Sequence, residues 1–330
     1  MRKIYMLTMS LFVCMGALAG NNGTIGDNLQ WSFADGTLTI SGTGEMEHAE
    51  GNSGYAWGTD NQSLDRSLIK KVVVEEGVTT LGEYIFWDCE SLTEVKLPKT
   101  LTTLGKECFK KCTALKSITL PDNITLIDEN AFDHCSTLET VTFPKNLKDI
   151  KAQAFYYCNL KKVDLSQTKI ETIGMGAFAH NTECEEVYLP KTLKIFFGND
   201  EGAFGDCNNL KKAVCLAVYP PQTLDGGPDF SSEEGINMNP VDFVKIFTGT
   251  DDDFVLEVPA GSEEKYRNAD GWKNVANNIT TGIRGVKASQ AKVGVYDITG
   301  KRYMNHADAQ TVNTLQRGVY IINGKKVLVK

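Results

Sequence analysis

The 330-residue sequence predicts a repeat solenoid with a parallel β-sheet on one face and short helical turns behind it, ending in a small β module. Three observations carry this expectation. Phenylalanine recurs every 23 residues at Phe86, Phe109, Phe132, Phe155 and Phe178. Aliphatic slots keep the same period, one at Leu81, Leu104, Ile127, Ile150 and Ile173, another at Val78, Leu101, Ile124, Leu147, Ile170 and Leu193. Proline closes the unit at Pro98, Pro121, Pro144 and Pro190. A unit this short cannot bury its own apolar face, so neighbours stack and share a continuous core.

Residues 1–19 read as a signal peptide. Arg2 and Lys3 form a positive start, Ile4 to Met15 an apolar run, and Ala17-Leu18-Ala19 a small-x-small cleavage site. The run is too short to span a bilayer. Cys14 follows Val13, where a lipoprotein anchor would place Gly or Ala, so cleavage near Ala19 is expected. The mature chain is therefore expected outside the cytoplasm.

Residues 69–216 hold the repeats. Within each unit the segment V-x-L (VKL, ITL, VTF, VDL, VYL) has period two and reads as a strand, ended by a proline that cannot donate to a ladder. The segment A-F-xx-C-xx-L has roughly helical spacing and is expected to form a helical turn. With Val and Leu inward, the alternate residues form an outward row: Glu94 and Lys96, Ser117 and Thr119, Thr140 and Thr142, Lys162 and Asp164, Glu186 and Tyr188. This row is the candidate ligand-binding surface, with Tyr188 its one aromatic. From Ala217 to Asp253 the register lapses among turn formers, and FVLEVP then restores the strand. That stretch reads as a long insertion into the last repeat, with Phe243 and Phe247 packing it onto the solenoid.

Eight cysteines follow the signal segment, an even number that would suit a disulfide framework in an oxidising compartment. Their register argues for a structural ladder instead. Cys89, Cys112, Cys135, Cys158 and Cys207 each lie three residues after a repeat phenylalanine, Cys108 takes an alanine slot, and Cys184 and Cys215 take leucine slots. A buried thiol packs as a small hydrophobe and can donate weakly to a turn carbonyl. The thiols are expected to stay reduced. His134 precedes Cys135, but it falls in a variable slot shared with Asp88, Lys111, Tyr157 and Asp206, so a thiol active site is not expected.

These slots, as they stand in "LPKTLTTLGKECFKKCTALKSITLP", resemble the BspA-like leucine-rich-repeat family of bacterial cell-surface proteins. The resemblance implies a right-handed leucine-rich solenoid. "LQWSFADGTLTISGTGEM" is similar to that family's β-rich N-terminal cap, here residues 20–68. "VPAGSEEKYRNADGWKNVANNI" is similar to its terminal repeat and capping helix, which places the insertion, last repeat and helix within 217–282. Ser262 is the expected N-cap, with Glu263 and Glu264 in the first turn. Residues 283–330 alternate as β-strands with turn signals at Thr299-Gly300 and Asn323-Gly324, the second suiting a two-residue hairpin. This tail resembles a C-terminal sorting domain of type IX secretion in the Bacteroidetes. The resemblance implies adhesion or surface recognition, with host matrix proteins, other surface proteins or glycans as partners and the secretion machinery engaging the tail. Without a working sorting signal the protein would remain periplasmic.

The formal charge of −8 and the lack of any Lys/Arg-rich run argue against nucleic acid as a partner. His48, His134, His180 and His306 are scattered with no metal-ligand spacing. There is no nucleophile elbow, P-loop or dinucleotide fingerprint. Asp251-Asp252-Asp253 lacks the alternating ligands of a calcium loop and reads as solvated. No catalytic residue, metal or cofactor is therefore expected. The chain reads as a non-enzymatic recognition protein; a structural envelope protein and a carbohydrate-active enzyme are the other readings.

Overall fold

The computed structural model describes residues 22–25, 27–46, 64–198, 202–225, 246–250 and 253–283, and the backbone of four strands between 295 and 329. The expected signal peptide lies outside the described residues, as do His48, Phe243, Asp251, Asp252 and His306.

The array opens with three antiparallel strands, Asn22–Ile25, Leu29–Ala34 and Thr37–Gly42. The third turns the sheet parallel by pairing with Lys71–Val74, Thr39 opposite Val73. Trp31, Leu38 and Ile40 are buried there and seal the first coil. From this point one short strand per coil builds a front sheet: Glu94–Lys96, Ser117–Thr119, Thr140–Thr142, Lys162–Asp164, Glu186–Leu189, Lys212–Cys215, Val255–Pro259 and Ile279–Ile283. The paired strands within it are parallel, with equivalent residues opposite one another, such as Thr140 opposite Ser117 and Lys162 opposite Glu186.

A second parallel sheet, which the repeat pattern did not suggest, runs along the flank. Its seven strands are Thr80–Leu81, Thr103–Leu104, Leu126–Ile127, Asp149–Ile150, Thr172–Ile173, Ile195–Gly198 and Gln222–Asp225. Most contribute two residues, one of them the buried aliphatic of the repeat.

The segment expected to be helical is not. Two residues per coil adopt left-handed backbone, for example Glu107 (φ 53) and Lys111 (φ 61), then Asn130 (φ 54) and His134 (φ 58). Left-handed residues interrupt a right-handed helix. They turn alternate N–H groups out of the coil and towards the next one. Tyr84, Phe86 and Asp88 donate to the carbonyls of Lys106, Cys108 and Lys110 at 2.9, 2.9 and 2.8 Å. The same three slots donate forward at Glu107, Phe109 and Lys111 and again at Asn130, Phe132 and His134. Close coil contact is thus a hydrogen-bonded corner, not packed helical turns.

Inside the coils the repeat phenylalanines stack face to face. Centroids of Phe86, Phe109, Phe132, Phe155, Phe178, Phe204 and Phe247 follow one another at 5.0 to 5.4 Å. Offset stacks at this spacing add attraction beyond area burial. Phe247 was expected to tack an insertion onto the solenoid; it is instead a rung of the ladder, bridged to Phe204. Gln222–Asp225 likewise pairs with Ile195–Gly198. Gln222–Asp225 and Phe247 thus keep the coil register inside the stretch where the sequence pattern lapses.

The helix Glu263–Arg267 and the 3-10 turn Lys273–Asn278 close the far end. Tyr266, Trp272 and Val275 are buried over the last coils. The Tyr266 hydroxyl donates to the Ala217 carbonyl at 2.6 Å, and Trp272 Nε1 to the Pro221 carbonyl at 2.9 Å. Ser262 occupies the N-cap position but does not cap: its hydroxyl donates back to the Pro259 carbonyl, which its helical backbone angles favour. In the tail, Gly318–Ile322 and Lys325–Val329 pair antiparallel with Ile322 opposite Lys325, the register of a two-residue hairpin.

Candidate recognition surface

The front sheet sets its outward residues in two columns. One runs Lys71, Glu94, Ser117, Thr140, Lys162, Glu186, Lys212; the other runs Val73, Lys96, Thr119, Thr142, Asp164, Tyr188 and ends on Val214, which is buried. Glu94, Lys96, Ser117, Thr119, Thr140, Thr142, Lys162 and Asp164 are exposed, whereas Glu186 and Tyr188 are half-buried. All ten predicted row residues therefore share one face. Lys71 and Lys212 belong to it as well; each lies one unit outside the predicted row, in strands whose flanking sequence departs from V-x-L-P.

The columns differ along their length. At the first coils Lys71 Nζ lies 2.6 Å from Glu94 Oε1. At the later coils Lys162 Nζ reaches Asp164 at 3.3 Å and Glu186 at 3.9 Å, and Lys212 reaches Glu257 at 2.8 Å. Between these ionic ends lies an uncharged block of four hydroxyls, Ser117, Thr119, Thr140 and Thr142, flanked by Glu94 and Lys96 on one side and by Lys162 and Asp164 on the other. Tyr188 is not a free stacking platform. Lys162 Nζ sits 4.3 Å from its ring centroid, and its hydroxyl donates to Glu186 Oε2 at 3.1 Å. Burial and that carboxylate raise the Tyr188 phenol above its ordinary range. Burial alone would raise the Asp164 carboxyl, but hydrogen bonds from Ser166 and Lys162 outweigh it and hold the group low.

Behind the row the cysteines form a line of donors. Cys112 Sγ donates to the Phe86 carbonyl at 3.3 Å, Cys135 to Phe109 and Cys158 to Phe132 at 3.1 Å, and Cys207 to Phe178 at 3.4 Å. Each thiol reaches the phenylalanine of the preceding coil. In the coil of Phe178, Asn181 takes the place, a rung visible in the sequence as the third residue after that phenylalanine. All eight thiols are buried and free, including Cys89, Cys108, Cys184 and Cys215. Burial pushes Cys89 and Cys184 up to about 12 and Cys215 to about 11. Thiols held this far from ionisation are poor nucleophiles.

His134 sits in the left-handed corner slot. Its Nδ1 is 2.5 Å from Asp133 Oδ1, and its ring stacks on Tyr157, which in turn stacks on His180 at 4.1 Å. The imidazole thus faces the corner, while Cys135 donates inward. Among the described residues no group of three His, Cys, Asp or Glu side chains is arranged to hold a metal ion. Among them, too, no helix is long and apolar enough to cross a membrane.

Residues 60–184 and 102–217 match the model of the BspA type leucine rich repeat region, in six copies. The array is a leucine-rich-repeat solenoid. Its cap strands and closing helix lie outside the matched repeats. A leucine-rich repeat protein from Bacteroides ovatus is 26% identical over 58% of this chain and 51% of its own, with a TM-score of 0.42. The leucine rich repeat protein of T. pallidum is 26% identical over 56% of this chain and 83% of its own, at 0.41. A leucine rich cell surface protein from Faecalibacterium prausnitzii is 16% identical over 79% and 95%, at 0.38. The chain spans about half the length of the Bacteroides ovatus protein. No curated protein matches it.

Proposed function

We propose that this leucine-rich-repeat chain is an exported, non-enzymatic recognition or adhesion protein of the cell surface or medium, binding a protein or glycan through its front sheet. The observation that carries the reading is the outward block of Ser117, Thr119, Thr140 and Thr142, held in register and framed by ion pairs. Side chains fixed on a hydrogen-bonded sheet lose little freedom on contact, so many weak contacts add usefully. Export rests on the signal-like residues 1–19, and a tail like those of type IX secretion in the Bacteroidetes supports delivery to the surface.

The test is a binding array of matrix proteins and glycans, probed with the chain from residue 20 onward and with a Thr119→Arg/Thr142→Arg variant. Both substitutions sit on exposed strand positions, so folding is retained. Saturable binding that disappears in the variant supports the reading. Equal binding by both moves recognition away from the row. Binding to nothing favours a structural envelope role.

A further inference from the structure

The charges of the front face are arranged so that the face is complementary to itself. Take a two-fold axis parallel to the strands, passing between Ser117–Thr119 and Thr140–Thr142, with a second copy laid face to face. Such an axis keeps the strand direction, reverses the order of coils and places each column against its own reverse. In the first column Ser117 then meets Thr140, Glu94 meets Lys162 and Lys71 meets Glu186 of the second copy. In the other, Thr119 meets Thr142, Lys96 meets Asp164 and Val73 meets Tyr188. The order of residues follows the observed strand registers within each paired group and the repeat period between groups. Each charge meets its opposite, hydroxyl meets hydroxyl, and the aliphatic Val73 meets the one aromatic.

We propose that the partner recognised by this face is a second copy of the chain, joined as an antiparallel, isologous dimer. The proposal deepens the reading of the row as a recognition surface and rests on it. A two-fold interface uses the same patch on both subunits, so such self-complementarity is what it requires. The three charge pairs each occur twice by symmetry. In the separate chain the same groups pair along the face, Lys71 with Glu94 and Lys162 with Asp164 and Glu186. In the dimer Lys71, Glu94, Lys162, Asp164 and Glu186 each gain a further counter-ion and Lys96 gains Asp164, giving an alternating lattice.

A second two-fold direction, along the solenoid, serves less well. Each coil would face itself, which matches Glu94 with Lys96 and Lys162 with Asp164. It would also set Lys71 against Val73 and Lys212 against Val214, leaving two ammonium groups on aliphatic side chains. Six strands at about 4.8 Å, each contributing about three residues of about 3.3 Å, cover roughly 300 Å² per copy. An interface of that size belongs to the weak, transient class. The dimer therefore forms at high local concentration, as on a crowded surface, and weakens as salt screens it.

The experiment is sedimentation equilibrium of the chain from residue 20 onward and of two charge-swapped variants. One carries Glu94→Lys with Lys96→Glu; the other carries Lys162→Glu with Asp164→Lys. Each variant alone sets like charge against like at four places and self-associates at least about tenfold more weakly than the parent. Mixed together, they form a heterodimer with the affinity of the parent, because each swapped strand then meets its swapped counterpart. Recovery in the mixture also shows that both variants are folded. A monomeric parent up to millimolar concentration overturns the proposal. So does a dimer unaffected by either swap, which would put the two-fold along the solenoid or on another face. If the parent is monomeric yet the array shows binding that the Thr119→Arg/Thr142→Arg variant loses, the row recognises a different partner and the broader reading stands. If neither dimer nor array ligand depends on the row, both fail.

Discussion

The side-chain amide of Asn181 donates to the carbonyl of Phe155 at 2.9 Å, the contact that a thiol makes in neighbouring coils. It also donates to the Phe178 carbonyl at 2.8 Å, and its oxygen accepts from the Leu160 N–H at 3.0 Å. The cysteine slot is thus a position for a buried donor that ties one coil to the one before. Asn181→Ala removes three bonds and leaves buried backbone groups unpaired, costing about 3 kcal/mol. Asn181→Cys restores one of the three and costs about 2 kcal/mol. Urea denaturation of the two variants beside the parent separates them; equal losses would show that the slot needs bulk and not a donor.

Thiol chemistry follows from the same burial. In the native chain the eight thiols do not react with a soluble disulfide reagent, and all eight become countable on denaturation. The pH dependence has a definite sign. Cys89 and Cys184, at about 12 when folded against an ordinary 9.0, favour the protonated native state. Their contribution is complete below pH 9.0 and is lost as pH rises towards about 12, because the unfolded chain ionises first. Melting temperatures should therefore fall between those limits and recover on return to neutral pH.

Gly174 sits where two coils approach closely. A Cβ there would lie 2.4 Å from the Ala152 nitrogen and 2.5 Å from the Lys151 carbonyl carbon. Both are backbone atoms of the preceding coil, so neither can swing aside. Gly174→Ala should cost about 1–3 kcal/mol through overpacking. A thermal melt unchanged within error would show that the coil spacing yields.

Tyr266 carries the closing helix onto the array through its hydroxyl, bonded to the Ala217 carbonyl and 3.2 Å from Cys215 Sγ. Tyr266→Phe keeps the ring and deletes these bonds, at about 1–2 kcal/mol. Hydrogen exchange should then quicken first in Val255–Pro259 and the helix, since neighbouring coils in a repeat array support each other locally. A uniform change along the chain would argue against local closure.

Period and burial were legible in the sequence because they depend on side-chain type. Phe86 to Phe178, the aliphatic slots and the cysteine positions all lie where a 23-residue period puts them. The front row was legible because V-x-L alternates. The flank sheet was not, because Thr103–Leu104 or Asp149–Ile150 is too short to alternate; such pairs become strands through coil stacking. The corner misled for a related reason. Phe, Cys and Leu spaced three apart look helical, while the left-handed backbone falls on Glu107, Lys111 or His134, residues with no turn signature. The rungs at Gln222 and Phe247 were not legible because neither carries the flanking consensus.

The forward-donating corner gives the array an electrical direction. Peptide groups at three slots per coil point the same way, so their dipoles add along the solenoid as they do along an α-helix, but across coils instead of along the chain. At the start of the stack the carbonyl ends of these dipoles point outward and make a negative pole. Arg66 stands at that pole, its Nη1 3.3 Å from the Trp87 carbonyl, which holds the same slot in its coil as the Lys110 carbonyl does in the next. An arginine there acts on the stack as a basic residue acts at the last turn of a helix, and each added coil lengthens the field it terminates.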